Sequence, residues 1–245
     1  VCRNALPLLR HTVENVLQQT YAPLEYLIID GASTDGTPAY LSSLQAPLQW
    51  WSAPDKGIYD AMNKALRLAT GDYVLFLNAG DCFHSPTTLS DIARSIQSAQ
   101  YPDSQLPAVL YGDTDLVDDA GRFLRHRRLS PPEQLRWQDF RQGMLVCHQA
   151  FFVRTDLGRE INYDLSYRFS ADYDWCLRIM QRAEALALPL HNTHLVVADY
   201  LTEGMTTRNH RASLLERFHI MKRYFGTSKT IAQHVWFLVR ALLKR

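Results

Sequence analysis

Asp81 and Asn78 open the chemistry in this chain, because they close the run Asn78-Ala79-Gly80-Asp81 directly after the apolar stretch Tyr73 to Leu77. Together they offer hard oxygen ligands, the set that suits Mg²⁺ or Mn²⁺ holding a substrate diphosphate. The same four residues also read as a plain turn, since Asn, Gly and Asp all favour turns. Asp113-Thr114-Asp115 is a second acidic pair, a literal D-x-D that runs into a hairpin turn at Asp118 to Gly121. Asp172 and Asp174 lie in Ser170-Ala171-Asp172-Tyr173-Asp174-Trp175, where a helix opens and acids in the first turn suit its dipole. His148-Gln149 begins an apolar run, as a satisfied core pair or as a polar pair near a ligand. His191 and His194 stand three apart, a spacing that a metal ligand pair could use.

The elements that must position these groups follow an α/β rhythm. Apolar runs at Glu25 to Asp30, Leu48 to Trp51, Tyr73 to Leu77, Val109 to Gly112, Cys147 to Arg154 and Leu195 to Ala198 read as strands. The run Tyr73 to Leu77, bounded by Gly71 and Gly80, is expected as a buried strand of a parallel sheet. Helical stripes separate the strands: Leu8, Leu9, Val13, Val16 and Leu17; Ile58, Met62, Ala65, Leu66 and Ala69; and Leu89, Ile92, Ala93 and Ile96. Thr37-Pro38 and Ser85-Pro86 have the cap-then-proline form of a helix start. Open α/β sheets bind ligands outside the carboxyl ends of their strands, which is where Asp30 and Asp81 fall. Residues 130–144, rich in Pro, Gln and Arg, are expected as a mobile loop.

Taken together, Pro54-Asp-Lys-Gly-Ile-Tyr-Asp-Ala-Met-Asn-Lys-Ala-Leu66 and Gly71-Asp-Tyr-Val-Leu-Phe-Leu-Asn-Ala-Gly-Asp81 resemble the inverting glycosyltransferases of family two, in particular the bacterial exopolysaccharide branch with its colanic-acid-type transferases. The matching blocks run from Cys2 to about Thr206. The resemblance implies the GT-A fold: a Rossmann-like, mostly parallel central sheet flanked by helices, here over residues 1–207, with 208–245 as a C-terminal helical extension. It implies that Asp30 accepts from the nucleotide base. A carboxylate accepts only, so it would select a donating edge such as uracil N3 or the guanine edge; the alternative is that Asp30 and Asp35 merely cap a turn. Asp55, Lys56, Gly57, Asp60 and Asn63 would line the donor pocket, and His148 and Gln149 would lie near the acceptor. Asp81 would carry the divalent cation, and Asp113 and Asp115 would be structural or secondary. Asp172 would be the general base, with Asp174 as its alternative or as a partner of Arg178. Three departures stand out: Asn78 where the first acid would be, Ala171 in place of Glu, and Glu203 in place of the first glycine of a closing loop, Glu203 to Thr206.

The implied reaction is an inverting transfer from a UDP- or GDP-linked sugar to a hydroxyl of a lipid-linked or growing polysaccharide. A binding-only relative and a nucleotidyltransferase are the alternatives; the second lacks its glycine-rich triphosphate loop, for Asn4 to Arg10 contains no glycine. At 245 residues and a net charge of +1 the chain suits one α/β domain with a tail, and nothing global argues for nucleic acid. Four cysteines without a C-x-x-C pair fit reduced thiols in a cytoplasmic protein. The chain opens Val-Cys-Arg-Asn without methionine, so a truncated first strand is expected. Arg122, Arg125, His126, Arg127 and Arg128 read either as a solvated strand face or as contacts to acceptor phosphates. Ile231, Val235, Leu238, Val239 and Leu242 share a helical stripe flanked by Lys222, Arg223, Lys229, Arg240, Lys244 and Arg245. That pattern fits a helix lying on the inner, anionic membrane surface, or packing against the domain or a second subunit.

Overall fold

The computed structural model describes residues 1–102, 105–202 and 210–242. Eight helices and eight strands alternate along it: α1 (Leu6–Leu17), β1 (Leu27–Asp30), α2 (Thr37–Ser43), β2 (Gln49–Ser52), α3 (Ile58–Leu68), β3 (Tyr73–Val74), β4 (Cys82–Phe83), α4 (Thr88–Ala99), β5 (Val109–Val117), β6 (Phe123–His126), β7 (Phe151–Arg154), α5 (Thr155–Glu160), α6 (Ala171–Ala185), β8 (Leu190–Leu201), α7 (His210–Phe225) and α8 (Thr227–Leu242).

Strands β1 and β2 pair in parallel, and Cys2 extends them through a parallel bridge to Asp30. Leu9, Val13, Ile28, Tyr40 and Leu41 fill one side of this unit, while Ile29 joins the main core with Met62 and Leu66 of α3. The larger sheet runs β3-β7-β5-β8-β4, with β6 paired to β5. It is mixed: β5 and β8 are parallel, and the other pairs are antiparallel. The run Tyr73 to Leu77 therefore departs from expectation. Only Tyr73 and Val74 join a ladder, and it is antiparallel, to β7. The chain from Leu75 to Gly80 leaves the sheet instead to carry Asn78 toward Asp81. β8 is longer than its apolar stretch predicts and takes in both His191 and His194.

Residues 130–144 are packed rather than looped out. A 3-10 turn at Trp137–Gln142 seats Phe140 at 0% exposure, and the Tyr111 hydroxyl accepts from the Leu135 N–H while donating to the carbonyls of Pro132 and Glu133. The C-terminal helices join the same body, since Ile220 and Met221 are fully buried in the core. No described helix is long and apolar enough to cross a membrane. All four cysteines are free thiols.

Candidate functional site

Asp81 is buried at the head of β4. Its Oδ2 accepts from the Gln149 side-chain amide at 2.8 Å and its Oδ1 from the Leu201 backbone N–H at 3.1 Å, and Asn78 donates to it as well. These donors only partly offset desolvation, which pushes the Asp81 carboxyl up to about 6. Beside it, Asn78 Oδ1 is buried with no partner among the described residues. A raised carboxyl next to an orphaned carbonyl oxygen is the donor set a hard divalent cation fits. Gly80 explains the spelling of this turn. Its φ is +103°, and a Cβ there would sit 2.7 Å from Leu201 Cδ2, so a side chain between Ala79 and Asp81 would break the contact that brings Leu201 to Asp81.

Asp172 lies in the first turn of α6, half-buried. Its Oδ1 accepts from the Tyr59 hydroxyl at 3.1 Å and from the Tyr173 N–H at 2.9 Å. Burial, with Asp172 beside it, holds the Tyr59 phenol well above its usual range, so it stays a donor. A short chain of contacts links the two carboxylates: Gln149 donates to Asp81, its neighbour His148 bonds the Tyr163 hydroxyl, Tyr163 stacks on Tyr59 at 5.6 Å, and Tyr59 donates to Asp172. Asp174, by contrast, is fully buried and closed by Arg178 at 2.7 Å and the Tyr224 hydroxyl at 2.9 Å. It braces the helix.

Asp30 ends β1 at 0% exposure. The Ser33 N–H and hydroxyl, the Ser52 hydroxyl and the Cys2 thiol all donate to its two oxygens. Asp35 likewise receives the N–H groups of Leu6 and Thr37. The turn Gly31 to Gly36 is thereby locked against the end of the first segment, where Asn4 bonds Ser33 and Thr34. Asp30 and Asp35 hold the turn, and the expected contact from Asp30 to a nucleotide base gives way to this bonding. Gly31 has no Cβ because Asp55 Oδ2 and the Arg3 stem occupy that space, so Arg3, Gly31 and Asp55 meet at one rim. Arg3 was not singled out by sequence. Asp55 accepts from the Gly57 N–H and Asp60 from the Lys56 N–H, which shapes the exposed loop ahead of α3.

Two expectations are corrected, and one open alternative is closed. Asn63 does not face a ligand: its amide donates to the Tyr163 carbonyl at 3.0 Å and accepts from the Tyr163 N–H at 2.8 Å, spending both ends on the backbone. His148 is a satisfied core histidine, 4% exposed, bonded to the Tyr163 hydroxyl and stacked on Phe76 at 5.7 Å, with its pKa lowered by burial. His191 is no metal ligand either, because both ring nitrogens are taken by Ser95 and Tyr101. Gln149 keeps a place at the site, as the group that orients Asp81.

The arginines from 122 to 128 divide. Arg122 pairs with Asp118, β6 is exposed throughout, and Arg127 turns inward to the carbonyls of Leu129, Met144 and Leu145. The loop Glu203 to Thr206, Lys244, Arg245 and the side chains of Leu238, Arg240 and Leu242 lie outside the described residues.

One contact had no signal in the sequence. The Glu216 carboxylate on α7 accepts from the N–H groups of Arg168, Phe169 and Ser170 at 2.8, 2.7 and 2.9 Å, just ahead of Asp172. Ser170 adds bonds to the Ser213 carbonyl and hydroxyl. Bonds to a charged acceptor are the stronger class, so Glu216→Gln is expected to cost about 1–3 kcal/mol of stability. If Asp172 is the base that the family resemblance implies, the substitution should also lower kcat about tenfold through misplacement of Asp172 while nucleotide affinity holds. Thermal melts beside steady-state kinetics check this; an unchanged kcat would confine Glu216 to stability.

Comparison with known proteins agrees with this geometry. Residues 1–158 match the family described as Glycosyl transferase family 2. A PGL/p-HBAD biosynthesis glycosyltransferase of Mycobacterium bovis is 32% identical over 206 residues, covering 80% of this chain and 73% of the relative. The amylovoran biosynthesis glycosyltransferase AmsB of Erwinia amylovora is 24% identical over 200 residues, covering 76% and 64%. Among solved structures, S. aureus TarS residues 1–349 with UDP-GlcNAc superposes with a TM-score of 0.68 at 17% identity, over 90% of this chain and 62% of that one. The mannosyltransferase PcManGT from Pyrobaculum calidifontis with GDP-Man and Mn²⁺ gives 0.58 at 18% identity, over 99% and 76%.

Proposed function

The chain belongs to glycosyl transferase family 2, and from that premise we propose that it moves a sugar, with inversion and with help from a divalent cation, from a nucleotide-diphosphate sugar to a hydroxyl of a lipid-linked or growing polysaccharide. The observation that carries this reading is the buried Asp81 carboxyl beside the orphaned Asn78 oxygen, linked to Asp172 through Gln149, His148, Tyr163 and Tyr59. The mannosyltransferase solved with GDP-Man and Mn²⁺ supports a cation of this kind, and the amylovoran relative supports a polysaccharide acceptor.

Asp81 and Asn78 would hold the cation, and Gln149 and the Leu201 N–H keep the Asp81 oxygens aimed. A bound cation would offset the charge of the departing nucleotide diphosphate. The rim of Arg3, Gly31, Asp55 and Lys56 would receive the nucleotide, with the Asp30-locked turn setting its shape. Among the described residues both donors to Asp172 use Oδ1, so Oδ2 is the oxygen that takes the acceptor's proton as its hydroxyl attacks the anomeric carbon from the opposite face. One displacement inverts the centre, and no enzyme nucleophile is needed.

The test is calorimetric titration of UDP and of GDP, each with and without Mn²⁺, into the intact protein and Asp81→Ala. Cation-dependent binding of one nucleotide, lost in the variant, is the expected result. Binding that ignores both Mn²⁺ and the substitution would remove the cation from the reading.

Membrane contact belongs to the same proposal. Ile231, Val235, Trp236 and Val239 on α8 are 49, 54, 52 and 40% exposed, and the exposed Lys222, Arg223 and Lys229 stand on the two C-terminal helices. An apolar stripe with flanking cations suits an anionic bilayer surface. Ile231→Asp with Val235→Asp should abolish co-flotation with vesicles containing phosphatidylglycerol. Equal flotation of both proteins would leave the stripe to a protein partner.

A further inference from the structure

A row of ionisable side chains crosses the large sheet outside the donor site. In strand order it reads His84 just beyond β4, Asp199 on β8, Asp115 on β5 and His126 on β6. Asp115 is the direct cross-strand partner of both Asp199 and His126, so the row lies on one face. His84 Nδ1 lies 2.8 Å from Asp199 Oδ1, and His126 Nδ1 lies 2.7 Å from Asp115 Oδ1. Ligand atoms of His84, Asp115 and Asp199 all fall within 4.8 Å of one another. Cys82 is the cross-strand partner of Asp199 and shares its face, so strand alternation turns the preceding residue, Asp81, to the opposite face from the row.

We propose that His84, Asp199 and Asp115, with His126 at the end of the row, form a second divalent-cation site suited to Zn²⁺. Two carboxylates placed directly across neighbouring strands oppose each other, and an ion between them reverses that sign. One or two imidazoles with two carboxylates are borderline donors, which select Zn²⁺ over the Mg²⁺ or Mn²⁺ that an all-oxygen set prefers. Ligands at about 2.0–2.2 Å from an ion sit roughly 3–4 Å apart, so closing the row takes only small side-chain rotations. Asp115 is 4% exposed while His84 and Asp199 open to solvent, which gives the ion a fixed floor and an entry path. The site would clip β4 to β8 beside the Leu201 N–H that holds Asp81. It stands independently of the donor-site reading.

Zn²⁺ alone, titrated calorimetrically into tag-free, metal-stripped protein, tests it. One equivalent should bind to the intact chain and to Asp81→Asn alike. His84→Ala and Asp199→Asn should each weaken binding at least about tenfold, and His126→Ala, on an exposed side chain that carries no fold risk, by about 10-fold or less. Zn²⁺ should raise the melting temperature of the intact protein and leave that of His84→Ala unmoved. No Zn²⁺ binding, binding untouched by these three substitutions, or binding lost in Asp81→Asn would overturn the proposal. In that last case the ion belongs to the donor site, and the row is two ordinary His–Asp pairs.

Discussion

Asp172→Asn lowers kcat by about 10²- to 10⁴-fold, the span that loss of a positioned general base produces. The amide oxygen still accepts from Tyr59 and Tyr173, so the first turn of α6 keeps its geometry and the fold is unaffected. Nucleotide affinity should be unchanged if, as proposed, the residue acts on the acceptor's proton, and kcat and kcat/KM for the acceptor should then fall together. Asp174→Asn is the internal control. It removes the charge of a fully buried carboxylate from a bond to Arg178, itself a quarter exposed, which costs about 1.5–3 kcal/mol, so that variant should lose stability first. Full turnover by Asp172→Asn, with activity lost in a folded Asp174→Asn, would exchange the two roles.

Asp81→Asn should raise stability at neutral pH while abolishing cation-dependent donor binding. The carboxyl is held at about 6 against an ordinary 3.8, which at about 1.36 kcal/mol per unit is on the order of 3 kcal/mol. The sign follows from linkage. The folded state binds this proton more tightly, so the group's contribution is full below about pH 4 and is lost as pH rises through about 6. Melting curves of the intact protein in the absence of divalent ions should therefore fall across that window by several degrees more than those of Asp81→Asn. Parallel curves would show that Asp81 is paired or solvated in solution. A fall of that size would mean the carboxylate is kept at a cost to the fold, as expected of a group held for a ligand rather than for packing.

Asp30 was legible because burial and turn chemistry are local: an apolar run stopping at an acid announces both the strand and its polar end. The same rule finds Asp81 for a different reason, since only Tyr73 and Val74 of its run pair and Asp81 sits at the head of the next strand. What the sequence could not display is which polar group spends its bonds on which. Asn63 and Tyr163 stand 100 positions apart, and Gln149 and Asp81 68 apart, so the same Asn reads as a pocket residue until its partner is placed. His148-Gln149 shows the difficulty within one dipeptide: in the 3-10 turn His148–Ala150 neighbouring side chains point about 120° apart, and one joins the aromatic core while the other reaches Asp81. The direction of β3 was misread for a similar reason, since a short apolar run carries no information about the sense of its neighbour.

The Glu216 cap changes how far this enzyme can be taken apart. A division drawn at residue 207 would remove the carboxylate that gathers three N–H groups ahead of Asp172, and with it the Tyr224 hydroxyl on Asp174. Tail and loop are one module. Exchanging the C-terminal helices between relatives should succeed only where the segment from Arg168 to Asp174 travels with them, because the same bonds fold both.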